Sequence, residues 1–219
     1  MHGSIFAAYR LYTNSLLCCV LLTLVCGSAS AQDTPSDKRV ESFLDSMRGQ
    51  WRDWNVPYED GKVLHDLIVK HGFKRALEIG TSTGHSGVWI AWALSKTGGQ
   101  LTTIEIDRQR YRTALRNFEL AGVAKTVDAR LGDAHELVKT LEGPFDFVFS
   151  DADKEWYTQY FRDLDPKIAV GGCFTAHNVL DDFAGIREFL QYVKSRPNYR
   201  TTIDRTSRAG ISISCKTAQ

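Results

Sequence analysis

The sequence predicts an α/β fold built on a doubly wound, mostly parallel sheet. Three observations lead to this prediction. Short apolar runs alternate five times with longer runs of helical periodicity. Two further strand-like runs end the chain and form a hairpin around Gly210. The chain has 219 residues, 43% of them hydrophobic, which suits one ordinary domain with a full core. Strands that alternate with helices run parallel and are covered by helices on both faces.

The first 31 residues are typical of a signal peptide. Arg10 is the only charged residue among them, and an apolar run over residues 16–25 is followed by small residues up to Ala31. The run is short for a membrane span, which needs about 20 residues. We therefore expect cleavage after Ala31 and export to a periplasm or the extracellular space. An uncleaved leader that anchors the protein in a membrane is the alternative.

The rest of the chain divides into two parts. Residues 32–56 are expected to form a polar linker followed by a helix over residues 39–47. A domain is expected over residues 57–219. Its first helix is predicted over residues 59–70, because the apolar residues there share one face and Gly72 is a typical helix end.

The remaining elements follow in alternation. Strands are predicted over residues 76–80, 101–106, 127–131, 145–150, 170–176, 199–203 and 211–215. Helices are predicted over residues 86–95, 108–121, 134–141, 154–164 and 182–194. Ligands of such sheets bind beyond the carboxyl ends of the parallel strands, so polar residues at those ends are the candidates for function.

Charge and cysteine content argue against several classes of protein. The full chain has 27 basic and 26 acidic residues, and without Arg10 of the leader the two numbers are equal. Such a balance argues against binding to nucleic acid or to a membrane surface. We expect no nucleic-acid partner, and contact with a membrane only if the leader is uncleaved. Only Cys173 and Cys215 lie outside the leader, too few for a disulfide framework.

A glycine-rich loop, Leu-Glu-Ile-Gly-Thr-Ser-Thr-Gly over residues 77–84, joins the first strand to its helix. Gly80 permits a tight turn and close approach of a ligand, and Gly84 lets the helix start against the sheet. The free N–H groups at a helix N-terminus suit a carboxylate. The spacing fits neither the dinucleotide motif nor the Walker motif. Taken alone, the loop is equally consistent with a plain strand–helix turn.

Acidic residues follow at the ends of the next two strands. Glu105 is placed to hold ribose hydroxyls, whereas Asp107 is expected to cap the helix that begins at Arg108. Asp133 ends the third strand, where it could meet an adenine amino group or cap a helix. The glycine loop and these acids, in this order, together indicate a cofactor that contains adenosine.

A third set of polar residues follows the fourth and fifth strands. The strand over residues 145–150 runs directly into Asp151, Asp153 and Lys154. The two aspartates resemble ligands of a hard cation, and Lys154 could act as a general base. A capped helix with an exposed Lys154 is the alternative. Because His177 and Asn178 end the neighbouring strand, they could converge with Asp151 on one ion. A purely structural histidine is the equal alternative.

These segments resemble the cation-dependent class I O-methyltransferases, the group of catechol and caffeoyl-CoA O-methyltransferases and their bacterial relatives. The resemblance covers residues 57–215. Its most specific segment is Phe-Asp-Phe-Val-Phe-Ser-Asp-Ala-Asp-Lys over residues 145–154, followed by Tyr157. The other matching segments are residues 77–86, 101–107, 132–134 and 171–180.

The resemblance implies a Rossmann-like sheet of seven strands, with the last strand antiparallel and inserted beside the fifth. It implies S-adenosylmethionine (SAM) as the cofactor. The implied cofactor-binding residues are Glu78, Gly80, Thr81, Gly84, Ser86, Glu105, Asp133, Ala134 and Asp151. The implied metal ligands are Asp151, His177 and Asn178. The implied catalytic residues are Lys154, in the position of the general base, and Asp151 beside it.

One residue departs from the family pattern, because His177 stands where the family usually has an aspartate. Magnesium prefers oxygen ligands, whereas histidine suits softer ions such as Mn, Fe or Zn. The expected second cofactor is a divalent cation, Mg or Mn, unless the metal site is weakened or lost. The leader adds a difficulty, since SAM is made in the cytoplasm.

The leading hypothesis is methyl transfer from SAM to a hydroxyl of a small acceptor, such as a vicinal aromatic diol, assisted by a divalent cation. Lys154 would take the hydroxyl proton, and much of the catalysis would be orientation. Trp89 and Trp92 are expected in the core. The candidates for the wall of the acceptor pocket are Trp51, Trp54 and Trp156. The alternatives are an exported protein that binds SAM without catalysis, and a metal-independent methyltransferase.

Two further expectations come from the resemblance. The protein could form a homodimer by analogy with the family. In the strand order of the family, Cys173 and Cys215 fall on neighbouring strands. They could pair in an oxidising compartment, but we expect buried free thiols.

Overall fold

The computed structural model describes residues 35–219, in which each predicted strand and helix is present within a few residues of its expected bounds. The helices are α1 (Pro35–Ser46), α2 (Tyr58–His71), α3 (His85–Thr97), α4 (Arg108–Ala121), α5 (Ala134–Thr140), α6 (Tyr157–Leu164) and α7 (Ala184–Lys194). The strands are β1 (Arg75–Ile79), β2 (Gln100–Glu105), β3 (Val127–Leu131), β4 (Phe145–Ser150), β5 (Ile168–His177), β6 (Tyr199–Asp204) and β7 (Ile211–Lys216).

The strands form one seven-stranded sheet in the order β3-β2-β1-β4-β5-β7-β6. The first five strands run parallel, and β7 lies antiparallel between β5 and β6. This arrangement confirms the predicted fold class. The strand order reverses between β1 and β4, and a crevice forms beyond the carboxyl ends of the strands at such a point.

Helices cover both faces of the sheet and bury two hydrophobic clusters against it. One cluster contains residues of α1 to α4, among them the fully buried Val40 and Leu44 of α1. Trp89 and Trp92 of α3 belong to the same cluster, as predicted. The other cluster joins α5, α6 and α7 to the opposite face. Packing on both faces holds the carboxyl ends of the strands in fixed positions.

Helix α6 begins three residues later than predicted. Residues Lys154–Trp156 form a 3-10 turn instead, and the side chain of Asp153 accepts the N–H of Glu155 at its start. A capping side chain satisfies one of the free N–H groups at a helix start, which favours a tight turn here. Lys154 therefore lies on a turn just beyond the carboxyl end of β4 rather than inside a helix.

Cys173 and Cys215 form a disulfide, so the expectation of free thiols is wrong. The two residues face each other directly in the antiparallel register of β5 and β7, with Cα atoms 4.0 Å apart. This register follows from the insertion of β7 beside β5, which joins residues 42 positions apart in the chain.

Helices α1 to α7 are each too short or too polar to span a membrane. The predicted signal peptide, its cleavage after Ala31 and the alternative anchor lie outside the described residues.

Candidate active site at the carboxyl ends of the parallel strands

A cavity of about 1000 Å³ opens at the carboxyl ends of the five parallel strands, β1 to β5. Its lining brings together many of the residues predicted from the sequence, namely Gly80, Glu105, Asp133, Ala134, Asp151, Lys154, His177 and Asn178. Glu78, Thr81, Gly84 and Ser86 are buried at the loop between β1 and α3 and are not part of this lining. Most of the predicted residues thus line one cavity, and the rest are buried beside it in the glycine loop and its flanking elements.

The glycine loop lies close to the end of β4. Gly80 has φ +97°, and a Cβ at this position would be 2.9 Å from the carbonyl oxygen of Asp151. Gly84, also at φ +97°, caps the N-terminus of α3. Any larger residue at position 80 would therefore be strained and would push the loop away from Asp151. Both glycines have the conformational role that the sequence predicted.

Glu105 is buried at the end of β2 and holds the glycine loop. Its carboxylate accepts the N–H of Ser82 at 2.7 Å and that of Asp107 at 2.8 Å. Arg110 stands 3.5 Å away and balances its charge. Asp107 caps α4 as predicted, accepting the N–H groups of Gln109 and Arg110. Glu105 therefore presents a fixed carboxylate at the cavity wall.

Glu78 lies beneath the loop with no exposed surface. Its Oε2 accepts the hydroxyl of Thr103 at 2.6 Å, and its Oε1 has no hydrogen-bond partner among the described residues. Burial raises the pKa of this carboxyl to about 7, although the nearby hydroxyls of Ser86 and Thr103 act in the opposite direction. A buried oxygen of this kind suits a cationic group of a ligand.

Glu78→Gln is expected to stabilise the ligand-free protein at alkaline pH. An acid whose pKa is higher in the folded protein loses stability as pH rises from the unfolded value to the folded one. We expect the free energy of unfolding of the variant to exceed that of the wild type by a few kcal/mol at pH 8 and by little near pH 4. Urea unfolding over this pH range measures the difference. An equal difference at both ends of the range would contradict the assignment to Glu78.

A histidine that the sequence did not single out forms another part of the wall. The ring of His135 stacks on Trp156 at 3.7 Å, and its nitrogens lie 3.6 Å from Asp133 and 3.5 Å from Asp153. Asp133 also caps α5 by accepting the N–H of His135. The position of His135 in the first turn of α5, two residues after Asp133, was the signal that could have identified it.

Four charged side chains meet where β4 and β5 end. Nζ of Lys154 donates to Oδ1 of Asp151 at 2.7 Å. Nδ1 of His177 lies 3.3 Å from the same oxygen, and Nε2 of His177 lies 2.7 Å from Oδ2 of Asp60. Asp60 is a fully buried residue of α2 that the sequence reasoning missed. The four groups form a chain of alternating charge, and we name it the charge chain.

The charges of this chain stabilise one another. Burial raises the pKa of Asp151, but the close contacts and the charges of His177 and Lys154 outweigh burial and hold that pKa below its usual value. Burial lowers the pKa of His177, but Asp151 and Asp60 outweigh burial and raise it to about 9. A cation that binds between His177 and Asp151 therefore has to displace a proton from the imidazole.

The three predicted metal ligands are only partly assembled. Asp151 and His177 are adjacent, whereas the side-chain amide of Asn178 donates to Asp181 at 3.0 Å. Asn178 has φ +58°, which turns the chain directly after β5. Within residues 35–219, no three His, Cys, Asp or Glu side chains form a group that could hold a metal. A shared ion would therefore need the amide of Asn178 or ligands from outside the protein.

The three candidate tryptophans have different surroundings. Trp54 is 80% exposed and lines the cavity, as does Phe183 at the start of α7. Trp51 stacks on His85, and Trp156 stacks on His135. Of the three, Trp54 contributes to the lining.

Comparison with known proteins points to one family. The family model described as O-methyltransferase matches residues 28–187. A catechol O-methyltransferase from Niastella koreensis is 37% identical over 132 residues, which cover 58% of this chain and 59% of that protein. Caffeoyl-CoA O-methyltransferase 1 from Zea mays is 33% identical over 157 residues, which cover 66% of this chain and 60% of that protein. The chain spans about three fifths of the length of these curated relatives.

A solved structure shares the fold. The crystal structure of an O-methyltransferase from Bacillus cereus in complex with SAH is similar with a TM-score of 0.72 and 27% sequence identity. The similarity covers 84% of this chain and 92% of that chain.

Proposed function

This chain belongs to the O-methyltransferase family, and on that premise we propose that it transfers a methyl group from SAM to a hydroxyl of a small acceptor. The observation that carries the proposal is the single cavity shared by the glycine loop, Glu105 and the pair Asp151–Lys154. Its volume of about 1000 Å³ is at the upper end of the range for small-molecule sites, which leaves room for a cofactor and an acceptor together.

The cofactor would lie along the ends of β1, β2 and β3. Glu105 would accept hydrogen bonds from the ribose hydroxyls, and Asp133 with Ala134 would contact the adenine. The methionine part would lie at the glycine loop, where a cationic amino group would meet the buried Oε1 of Glu78. The further residues proposed to bind the cofactor are Gly80, Thr81, Gly84, Ser86 and Asp151.

Lys154 is the proposed general base, a role that requires its neutral amine rather than the ammonium that donates to Asp151. Its Nζ is held by Asp151 at the cavity wall, where an acceptor hydroxyl can reach it. Asp151 orients the amine through the hydrogen bond that it accepts from Nζ. The distance between cofactor and acceptor would be fixed by two elements, the loop between β1 and α3 and the end of β4. Much of the catalysis would then come from the orientation of the two reactants. Trp54 would close the acceptor side.

The side chains of His177 and Asp151 at the ends of β5 and β4 fit a divalent cation. Nδ1 of His177 is buried and has no hydrogen-bond partner among the described residues, and Oδ1 of Asp151 lies beside it. We propose these two side chains as ligands, with Asn178 as a third if its amide turns away from Asp181. A cation bound there supplies Lewis-acid polarisation of the acceptor oxygen.

A methyl-transfer assay tests the proposal. Full-length protein is incubated with SAM and a panel of catechols, with and without a chelator. We expect a singly O-methylated product and an equal amount of S-adenosylhomocysteine. SAM binding without turnover on any acceptor would indicate a non-catalytic SAM-binding protein, and unchanged turnover in chelator would indicate a metal-independent enzyme.

We propose that the protein is exported. The disulfide between Cys173 and Cys215 supports this proposal, because disulfides persist in oxidising compartments and are rare in the cytosol. The leader composition supports it from a separate part of the chain. Dimerisation stays a prediction from the family analogy.

A further inference from the structure

The two ring nitrogens of His177 have different surroundings. Nε2 lies 2.7 Å from Oδ2 of Asp60, which comes from α2, 117 residues away in the chain. The hydroxyl of Ser207 donates to the same oxygen at 2.7 Å. Asp60 is thus held in place from a second direction, and its carboxylate favours a proton on Nε2. A proton on Nε2 leaves Nδ1 as the nitrogen that can offer a lone pair.

Nδ1 points to where an ion would bind. It is buried in a side chain that is 4% exposed, it makes no hydrogen bond within the described residues, and it lies 3.3 Å from Oδ1 of Asp151. Two donors that bind one ion at about 2.1 Å, with an angle between 90° and tetrahedral, stand about 3.0 to 3.4 Å apart. The observed separation therefore suits two ligands of a single ion.

We propose that Asp60 and His177 make this site selective for a transition-metal ion such as Mn²⁺ over Mg²⁺, with Asp60 as the positioning residue. Imidazole nitrogen suits divalent transition metals, whereas Mg²⁺ favours oxygen ligands. A histidine that binds a metal usually donates its other N–H to a carboxylate, which fixes the orientation of the ring and makes the nitrogen a better ligand. The inference deepens the proposed function, since it names the ion for the same site, but it concerns binding and not turnover.

Two groups compete with the ion in this site. Lys154 already donates to Oδ1 of Asp151, and a proton on Nδ1 would let His177 pair with both carboxylates. If the proton always prevails, His177 serves only as an ion-pair partner and the protein takes up no divalent ion. The proposal and this rival therefore differ in a direct measurement of binding.

Calorimetric titration of the metal-free, full-length protein with Mn²⁺ and with Mg²⁺ tests the proposal, and the spin resonance of Mn²⁺ provides a second readout. We expect one Mn²⁺ per chain, bound at least about tenfold more tightly than Mg²⁺. Asp60→Asn is expected to weaken Mn²⁺ binding by about 10- to 100-fold, because the neutral amide is a poorer partner for Nε2. His177→Asp is expected to shift the preference toward Mg²⁺.

Controls separate the role of Asp60 from general damage. Asp66→Asn removes an exposed carboxylate from the same helix and is expected to leave Mn²⁺ binding unchanged. Ser207→Ala removes only the hydroxyl that supports Asp60, and it replaces Asp60→Asn if that variant does not fold. Circular dichroism and thermal unfolding establish that each variant is native.

The outcomes are distinct from those of the methyl-transfer assay. Wild-type protein that binds neither ion, or that binds Mg²⁺ more tightly, would overturn the proposal even if SAM is turned over. Unchanged Mn²⁺ affinity in folded Asp60→Asn, or in Ser207→Ala where Asp60→Asn does not fold, would remove Asp60 from its role. Tight Mn²⁺ binding without methyl transfer would uphold this inference and count against the proposed function alone.

Discussion

Replacing Lys154 by methionine is expected to lower kcat for methyl transfer by about 10²- to 10⁴-fold, the usual contribution of a general base. The side chain lies on the cavity wall and is held by Asp151 at 2.7 Å, so its loss removes the amine that would take the hydroxyl proton. The affinity for SAM is expected to change little, because Lys154 is not among the residues proposed to bind the cofactor. Steady-state kinetics and calorimetric titration with SAM measure the two quantities.

Lys154→Arg distinguishes proton transfer from charge. Arginine keeps a positive group beside Asp151 but does not release its proton near neutral pH. We expect this variant to be as impaired in kcat as Lys154→Met. Activity close to that of the wild type would mean that the charge alone is sufficient. Lys139→Met, on the exposed surface of α5, is the matched control and is expected to be fully active.

Removal of the disulfide is expected to have the largest effect on stability. Cys173→Ala with Cys215→Ala should lower the free energy of unfolding by about 3 to 4 kcal/mol, because the bond closes a loop with a sequence separation of 42 and restricts the unfolded chain. Urea unfolding of protein made under oxidising conditions measures the change. The wild type in excess reductant is the control and should become about as unstable as the double variant.

The same disulfide can be examined without mutation. Mass spectrometry of the unreduced protein after proteolysis should find the peptides of Cys173 and Cys215 joined. Two free thiols at these positions would exclude the bond, and they would remove the structural support for export from the cytoplasm.

The sequence alone was sufficient for the fold and for the positions of the polar residues at the strand ends. Hydrophobic periodicity is a local property, so the alternation of strands and helices could be read directly from the chain. Gly80, Glu105 and Asp107 could also be placed, because each acts where its own strand or helix ends. The boundary at Lys154 was less accurate, since a helix and a 3-10 turn have nearly the same pattern over three residues.

The partners of the charged groups were decided by the tertiary structure alone. Asp60 looks like an ordinary polar residue in the first turn of α2, yet packing buries it against His177, 117 residues away. The pairing of Cys173 with Cys215 depends in the same way on the insertion of β7 beside β5. Periodicity and strand ends show which residues belong to one element. These patterns give no distances between elements. The distances from His177 to Asp60 and Asp151 are therefore known only from the tertiary structure.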